Sequence, residues 1–475
     1  MSWLEVVVVA SGVALVAARW LPRRVRRPVG SGASVLVVLS GVVLVGTALR
    51  WQMVPVLVGA GLVVPFAVAG EVRARRGRAP RRSRWWVALP ASVGCLCLIA
   101  VGPVGAWALP VPVFPEPSGE FAVGTSVVQW TDAARSEGAT PEESDRRTVV
   151  VQVWYPARKS PADARGAVYL GRTDREAGIV ADGLADYLGV PGFLLDGLTR
   201  ARTHAVVDAP VADGGGRFPV VLFSPGLGGV RTQNSAWAQE LASHGYVVAA
   251  LDHPYDSAAV VLADGRTVRT KVAATGDADR DEELAARWTA VRAADLSFVL
   301  GQLERVARGE IPGPVGGRMD TGRVAATGHS LGGAAALLAA RQDDRFDAVI
   351  DLDGFPHGPA PTRFPQPVLA LTQDVRTDID PDYLPRLTRV LSLSGATSYR
   401  LSVPGAAHLT FTDAPLHLPP VESLVGARGR TEGPRVTSAA SLAFLNATLR
   451  DAPEGLAAAL RAYGDLTVHR AGAHR

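Results

Sequence analysis

Ser330 stands between two glycines in the stretch Val324 to Gly333, VAATGHSLGG, in the pattern Gly-x-Ser-x-Gly. A serine hydroxyl attacks an acyl carbon only when a base removes its proton and an acid orients that base. The apolar small residues before Gly328 predict a buried strand, and Ala334 to Ala340 predict a helix. A serine on so tight a strand-to-helix turn projects its hydroxyl, and the flanking glycines let the backbone turn without Cβ clashes. The helix N-terminus behind it favours developing negative charge.

The base must lie beyond Ser330 if the order is Ser, acid, His, which is the order of the α/β-hydrolase fold. His357, His408, His417, His469 and His474 follow with useful separation. His408 lies in SVPGAAHLTFTD, a strand followed by a small-residue loop, and is the expected base. His417 precedes Leu-Pro-Pro and reads as loop decoration, and His469 and His474 read as a polar tail. Asp353, ending AVIDLD, and Asp374, ending VLALTQD, both qualify as the acid by position, while Asp351 alternates away from Asp353. Backbone N–H groups for an oxyanion are expected at Leu331, directly after the serine, and at Leu227 in the loop SPGLGG. Asp252 and His253 could line a pocket but read more simply as a polar pair structuring the loop before Pro254. No His, Asp, Glu or Cys spacing suggests a metal, and no cofactor is expected.

These residues need a frame. Thr148–Tyr155, Pro219–Phe223, Tyr246–Leu251, Val324–Thr327, Ala348–Leu352 and Pro367–Leu371 read as strands. Ser235–His244 and Leu284–Val306 read as helices. Apolar strands alternating with helices imply an α/β fold, a mostly parallel sheet covered on both faces. Asp182–Leu198, apolar but broken by Pro191-Gly192, is expected as a cap beside the pocket or as a helix pair closing the core.

The first 109 residues differ in kind. Four apolar runs, about Trp3–Ala18, Ala33–Leu49, Met53–Ala69 and Trp85–Leu109, approach the ~17–25 residues of a membrane-spanning helix. No positive residue precedes the first run, so it is not expected to be a cleaved signal. Tryptophans 3, 20, 51, 85 and 86 fall at run ends, as interfacial aromatics do. This segment holds 13 arginines and two acids, a net +11, and the rest of the chain carries −7. The basic balance therefore belongs to the membrane region, and nothing marks a nucleic-acid binder. Arginines 19, 23, 24, 26 and 27 follow the first run, seven lie between the third and fourth, and only Arg50 lies between the second and third. The positive-inside rule places both rich clusters in the cytoplasm and everything after run four outside it, in a multi-pass protein of the cell membrane. The expected organisation is a transmembrane region at 1–109, a proline-rich linker at 110–118, most of it in LPVPVFPEP from Leu109 to Pro117, and a catalytic domain at 119–475. Cys95 and Cys97 lie within an apolar run, and the catalytic part has no cysteine and no disulfide.

VVLFSPGLGGVRTQNSAWAQELASHGYVVAALDHPYDSA, with GHSLGGAAALLAARQDDRFDAVIDLDGFPHG and GAAHLTF, resembles the plasma-type platelet-activating factor acetylhydrolase family. The resemblance spans roughly Val111 to Phe411 and excludes the apolar runs. It implies an α/β-hydrolase that removes short or oxidised sn-2 acyl groups from phospholipids without calcium. It implies Ser330 as nucleophile, His408 as base, Asp353 rather than Asp374 as acid, and Leu227 and Leu331 as oxyanion donors. Pro225 stands where the family often has His, which reshapes that loop but leaves the Leu227 amide. A membrane-anchored serine esterase is therefore expected. The alternatives are a general carboxylesterase or polyester hydrolase and, in another class, a catalytically silent hydrolase-like binding module at the surface.

Overall fold

The computed structural model describes residues 1–47, 49–78, 84–159, 164–213, 216–273, 275–358, 362–374 and 381–471. They form two compact units, Met1–Val111 and Pro112–Arg475.

The first unit is helical: α1 (Trp3–Ala18), α2 (Arg23–Thr47), α3 (Met53–Gly61), α4 (Val64–Arg75) and α5 (Trp85–Ala108). Arg24–Thr47, Met53–Arg75 and Trp85–Ala108 are long and apolar enough to cross a membrane. The run expected at Ala33–Leu49 begins ten residues earlier as helix, at Arg23. The run expected at Met53–Ala69 extends to Arg75 and is interrupted at Leu62 and Val63, because Pro65 has no N–H to return to the preceding turn. The first run is a 16-residue helix. It rises only about 24 Å, less than a ~30 Å hydrocarbon core.

Both ends of α1 are pinned. Glu5 is buried, accepts from its own helix cap at Ser2 N (2.7 Å) and lies 3.6 Å from Arg50. Arg50 and Gln52 donate to Leu109 O, each at 3.3 Å, so the start of α1, the α2–α3 turn and the end of α5 meet. At the opposite end Trp20 donates to Ser92 at 3.3 Å. Small residues allow this packing: a Cβ on Gly102 would fall 2.4 Å from Val56. Leu36, Leu39, Val42 and Phe66 turn outward and are exposed.

The second unit is built on a ten-stranded sheet. Its strands are β1 (Ala122–Ser136), β2 (Arg146–Ala157), β3 (Val206–Val207), β4 (Phe218–Ser224) and β5 (Val247–Asp252). A separate hairpin, β6 (Ala259–Val261) and β7 (Thr267–Arg269), follows. The sheet resumes with β8 (Met319–His329), β9 (Ala348–Leu352), β10 (Val368–Thr372), β11 (Ser398–Ser402) and β12 (Asp465–His469). The order is β12-β11-β10-β9-β8-β4-β5-β2-β1-β3, and the six strands β11-β10-β9-β8-β4-β5 are parallel to their neighbours within that run. His469 therefore belongs to an edge strand paired with Ser398 rather than to a tail, while His474 lies outside the described residues.

Side chains alternate across the sheet with period two. Val220, Leu222, Val324 and Ala326 face one core, with Leu296, Val299, Leu300 and Leu303 of the 30-residue helix Ala278–Ala307. Val221, Phe223, Ala325 and Ile350 face the other, with Trp237 and the helix Glu432–Leu449. Each fully buried leucine or valine contributes about 1.5–3 kcal/mol. The helix after the serine, Leu331–Gln342, is buried from Leu331 to Ala340, and its alanines let it lie close on β8 and β9.

The linker is partly docked. Phe114 is buried, its ring lies tilted against that of Tyr169 with centroids 4.9 Å apart, and its carbonyl meets His204 Nε2 at 3.0 Å. Ser118 N donates to Glu240 at 2.9 Å and Gly119 N to Ser243 at 3.0 Å. Within the linker expected across 110–118, Pro112 and Phe114 are buried and Val113 between them is exposed.

Candidate active site

Parallel strands deliver their C-terminal ends to one edge. In register, Ser224 of β4 faces Gly328 of β8, His329 faces Leu352 of β9, and Leu352 faces Leu371 of β10. The loops after β4, β8, β9 and β11 carry Leu227, Ser330, Asp353 and His408 to that edge.

Ser330 has φ 55° and ψ −124°, a strained conformation for a side chain with Cβ. The turn needs both its glycines. A Cβ on Gly328 would fall 2.2 Å from Gly332 backbone, and one on Gly332 would fall 2.0 Å from Ser224 O. Ser330 N donates to Leu352 O at 2.9 Å, and its side chain does not cap the following helix. Among the described residues the N–H groups of Leu331 and Leu227 have no acceptor. The loops are adjacent, since a Cβ on Gly226 would lie 3.5 Å from that of Ser330. Two unmatched amides beside a strained serine can hold a negatively charged oxygen.

The structure brings His408 and Asp353 together: Nδ1 lies 2.7 Å from Oδ2. Asp353 is buried at φ 55°, and its other oxygen accepts from Gln373 N (2.9 Å) and Tyr383 OH (3.3 Å). Burial and the Asp353 charge push the Tyr383 hydroxyl well above its ordinary range, so it stays a donor. Asp374 is exposed. Asp351 points away, accepts from Gly354 N at 2.9 Å, and is pushed up by burial and by Asp353. His357 meets Glu282 at 2.8 Å instead of the serine loop.

A relay of hydrogen bonds that the sequence reading did not anticipate joins the loop of Leu227 to His408. Gly226 N donates to Gln233 Oε1 at 3.0 Å, which fixes the orientation of that amide. Gln233 Nε2 then donates to His329 Nδ1 at 2.8 Å, leaving His329 Nε2–H to donate to His408 O at 2.9 Å. Burial, then the neighbouring His408, holds His329 down to about 3, so it keeps this neutral tautomer. The base loop is also anchored by Asp413, which accepts from Ser235 N (2.7 Å) and Ala236 N (3.1 Å) at a helix start. Burial pushes Asp413 up to about 8. The only sequence sign of the relay was a histidine directly before the serine.

Asp252 and His253 do not line a pocket. Asp252 pairs with buried Arg231, which also meets Glu176 at 2.8 Å. His253 Nε2 lies 2.9 Å from Ser224 Oγ and Nδ1 2.8 Å from Asp295, all fully buried. Asp295 is pushed up by burial, but Arg147 and His253 pull it well below the usual carboxylate range. Asp182–Leu198 contributes to the helix Asp174–Leu188 and a 3-10 turn at Gly192–Leu195. Its Tyr187 covers Gly228, where a Cβ would fall 2.3 Å from the ring, so the segment lies on the loop that carries Leu227. Among the described residues no group of His, Cys, Asp and Glu could hold a metal.

The parallel sheet with these loops on one edge is the α/β-hydrolase fold, and an esterase is among its solved neighbours. A ferulic acid esterase from Streptomyces cinnamoneus superimposes with TM-score 0.60 at 29% identity, covering 75% of this chain and 99% of that one. The protein is an ester-bond hydrolase. It belongs to the family of platelet-activating factor acetylhydrolase, isoform II, whose model matches residues 110–454. Relatives include the "Probable 1-alkyl-2-acetylglycerophosphocholine esterase" of Arthroderma benhamiae, 27% identical over 64% of this chain and 76% of its own. The platelet-activating factor acetylhydrolase of Cavia porcellus is 26% identical over 63% of this chain and 68% of its own.

Proposed function

We propose that the protein is a membrane-anchored serine esterase that hydrolyses short-chain or oxidised acyl esters of phospholipids at the outer face of the membrane. Ser330 acts as nucleophile, His408 as general base and then acid, and Asp353 orients the imidazole. Leu227 and Leu331 N–H groups receive the oxyanion. The observation that carries this reading is the 2.7 Å contact of His408 Nδ1 with buried Asp353, beside the strained serine. The contact keeps a proton on Nδ1 and turns Nε2 toward the nucleophile. Attack forms the acyl-enzyme with release of the alcohol; water activated by the same His408 then releases the acid. The relatives, one named for 1-alkyl-2-acetylglycerophosphocholine and one for platelet-activating factor, favour a phospholipid with a short acyl group. The ferulic acid esterase neighbour favours a second reading within the same chemistry, an esterase of other carboxylic esters.

Anchoring rests on the three long apolar helices and the arginine clusters at 19–27 and 73–84. With both clusters cytoplasmic, Arg24–Thr47 leads out, Met53–Arg75 leads back, and Trp85–Ala108 leads out again. The exterior position of the hydrolase therefore holds whether or not α1 crosses. The ion pair of Glu5 with Arg50 supports α1 lying within the bundle, since Arg50 is the sole arginine of the outer loop.

A fluorophosphonate probe tests the reading on the full chain. Labelling at Ser330, lost in Ser330→Ala, together with faster hydrolysis of acetyl than of long-acyl phospholipids, is the expected result. An unlabelled, inactive chain makes it a silent binding module. Preference for aromatic or long acyl esters selects the second reading.

A further inference from the structure

Arg292, on the helix Ala278–Ala307, is fully buried beneath the loop that carries Leu227. Its Nε and Nη2 donate to the two carboxylate oxygens of Asp256, each at 2.6 Å. Nη2 also donates to Gly226 O at 3.0 Å, and Nη1 donates to Pro225 O. Asp256 in turn lies 3.5 Å from Gly228 N. A planar fork matched to a carboxylate on one side and two carbonyls on the other has little freedom to rotate. A backbone carbonyl does not require a buried guanidinium for satisfaction, and Gly226 O already accepts from Gly229 N at 2.9 Å. What the second donor adds is direction. All peptides in the described chain are trans, so the Leu227 N–H points opposite to the Gly226 carbonyl. A carbonyl aimed down at Arg292 sends that N–H up toward the Ser330 side of the loop.

We propose that Arg292, held by Asp256, is a positioning residue that fixes the Gly226–Leu227 peptide so that the Leu227 N–H is preset for the oxyanion. This rests on the serine-esterase reading above. Pro225 makes the device more necessary, because this residue has no N–H with which to secure the turn. If the peptide rotated, a carbonyl oxygen would face the developing charge in place of a donor. The stabilisation would then become repulsion, with no other residue displaced.

The test uses the full chain in detergent, with Arg292→Lys and Asp256→Asn. Lysine keeps the charge beside Asp256 but cannot grip a carboxylate and two carbonyls at once. Asp256→Asn leaves the guanidinium and loosens its anchor, giving a second background should the lysine variant fold poorly. Both are assayed on a soluble ester and on its thionoester, in which sulfur takes the place of the carbonyl oxygen and accepts hydrogen bonds weakly. Loss of one oxyanion donor costs about 10²–10³ in kcat, so a misaimed donor is expected to lower kcat on the ester roughly 10- to 100-fold with KM little changed. The thionoester, which draws less on that donor, should fall far less, so the preference for oxygen over sulfur shrinks. Equal falls on both substrates would make Arg292 merely structural and overturn the proposal. Unchanged kcat in both variants would overturn it too, showing that the turn alone suffices. A wild-type chain inactive on both substrates and unlabelled by the phosphonate would instead remove the esterase reading beneath it.

Discussion

His408 Nδ1 and Asp353 Oδ2 lie 2.7 Å apart, across 55 residues of sequence, with the carboxylate buried and the imidazole partly open. Asp353 presents that oxygen because its backbone is held at φ 55° and its other oxygen is already occupied. Asparagine at this position would put an amide where His408 needs an acceptor. Asp353→Asn should lower kcat by roughly 10⁴, whereas Asp374→Asn, at an exposed site, should leave it within about threefold of wild type. Steady-state kinetics on one soluble ester decide between them, and a crippled Asp374→Asn would move the acid to the following strand.

Ser330→Ala should abolish turnover, a loss on the order of 10⁴–10⁶, while relieving rather than adding side-chain bulk at the turn. Its thermal unfolding midpoint should match or exceed that of the parent. Retained turnover would refute the nucleophile.

Gly332→Ala asks whether the close approach of the serine turn to β4 is needed. Its Cβ would lie 2.0 Å from Ser224 O and 2.5 Å from Pro225 O, both backbone, so the turn or the oxyanion loop must move. Overpacking of this kind costs about 1–3 kcal/mol. A lower unfolding midpoint together with lost activity is expected; an unperturbed, active variant would mean the two loops are farther apart than described.

His329 makes stability depend on acid. Its folded value is lowered to about 3 from the ordinary 6.5, so between those values the unfolded chain binds more protons. Stability then rises with pH through that window and falls as pH drops through it, by up to about 1.4 kcal/mol per unit. His329→Asn has no such titration. The stability gap between the variant and wild type, measured by chemical unfolding at pH 7 and pH 5, should shift in favour of the variant at pH 5. A gap independent of pH would show that His329 is not held neutral.

Protease added to intact cells should release the catalytic unit, and a reporter that matures only on export should be active when fused after Arg475. A protected domain and an inactive reporter would reverse the orientation and the pool of esters within reach.

The serine turn, the parallel strands and the base loop were legible because each writes a local signal: small residues around Ser330, apolar runs, glycines at turns. Strand Ala348–Leu352 was delimited to the residue. The first strand, Ala122–Ser136, was not seen, because its outer half is polar and partly exposed and no strict alternation shows. His469 looked like tail for the same reason, lying on a half-buried edge. The choice between Asp353 and Asp374 was open to position, since both follow strands; the conformation that aims Asp353, at φ 55° with its N–H on Leu371 O, is not written in any one residue type. Gln233, Arg292 and Asp413 were invisible because each holds at least one loop backbone atom, Gly226 N, Gly226 O and Ser235 N in turn, and a backbone atom leaves no letter to read.

The docking of Phe114 and Ser118 shortens the tether as well as covering the domain. Residues 109–113 join the last helix, which ends at Ala108, to the buried ring of Phe114. Fully extended, they reach about 17 Å. Were the apolar helices to lie in a bilayer, as proposed above, esters partitioned into that surface would be met at a high effective concentration. Such an enzyme would sample the surface of its own cell first and the bulk medium second.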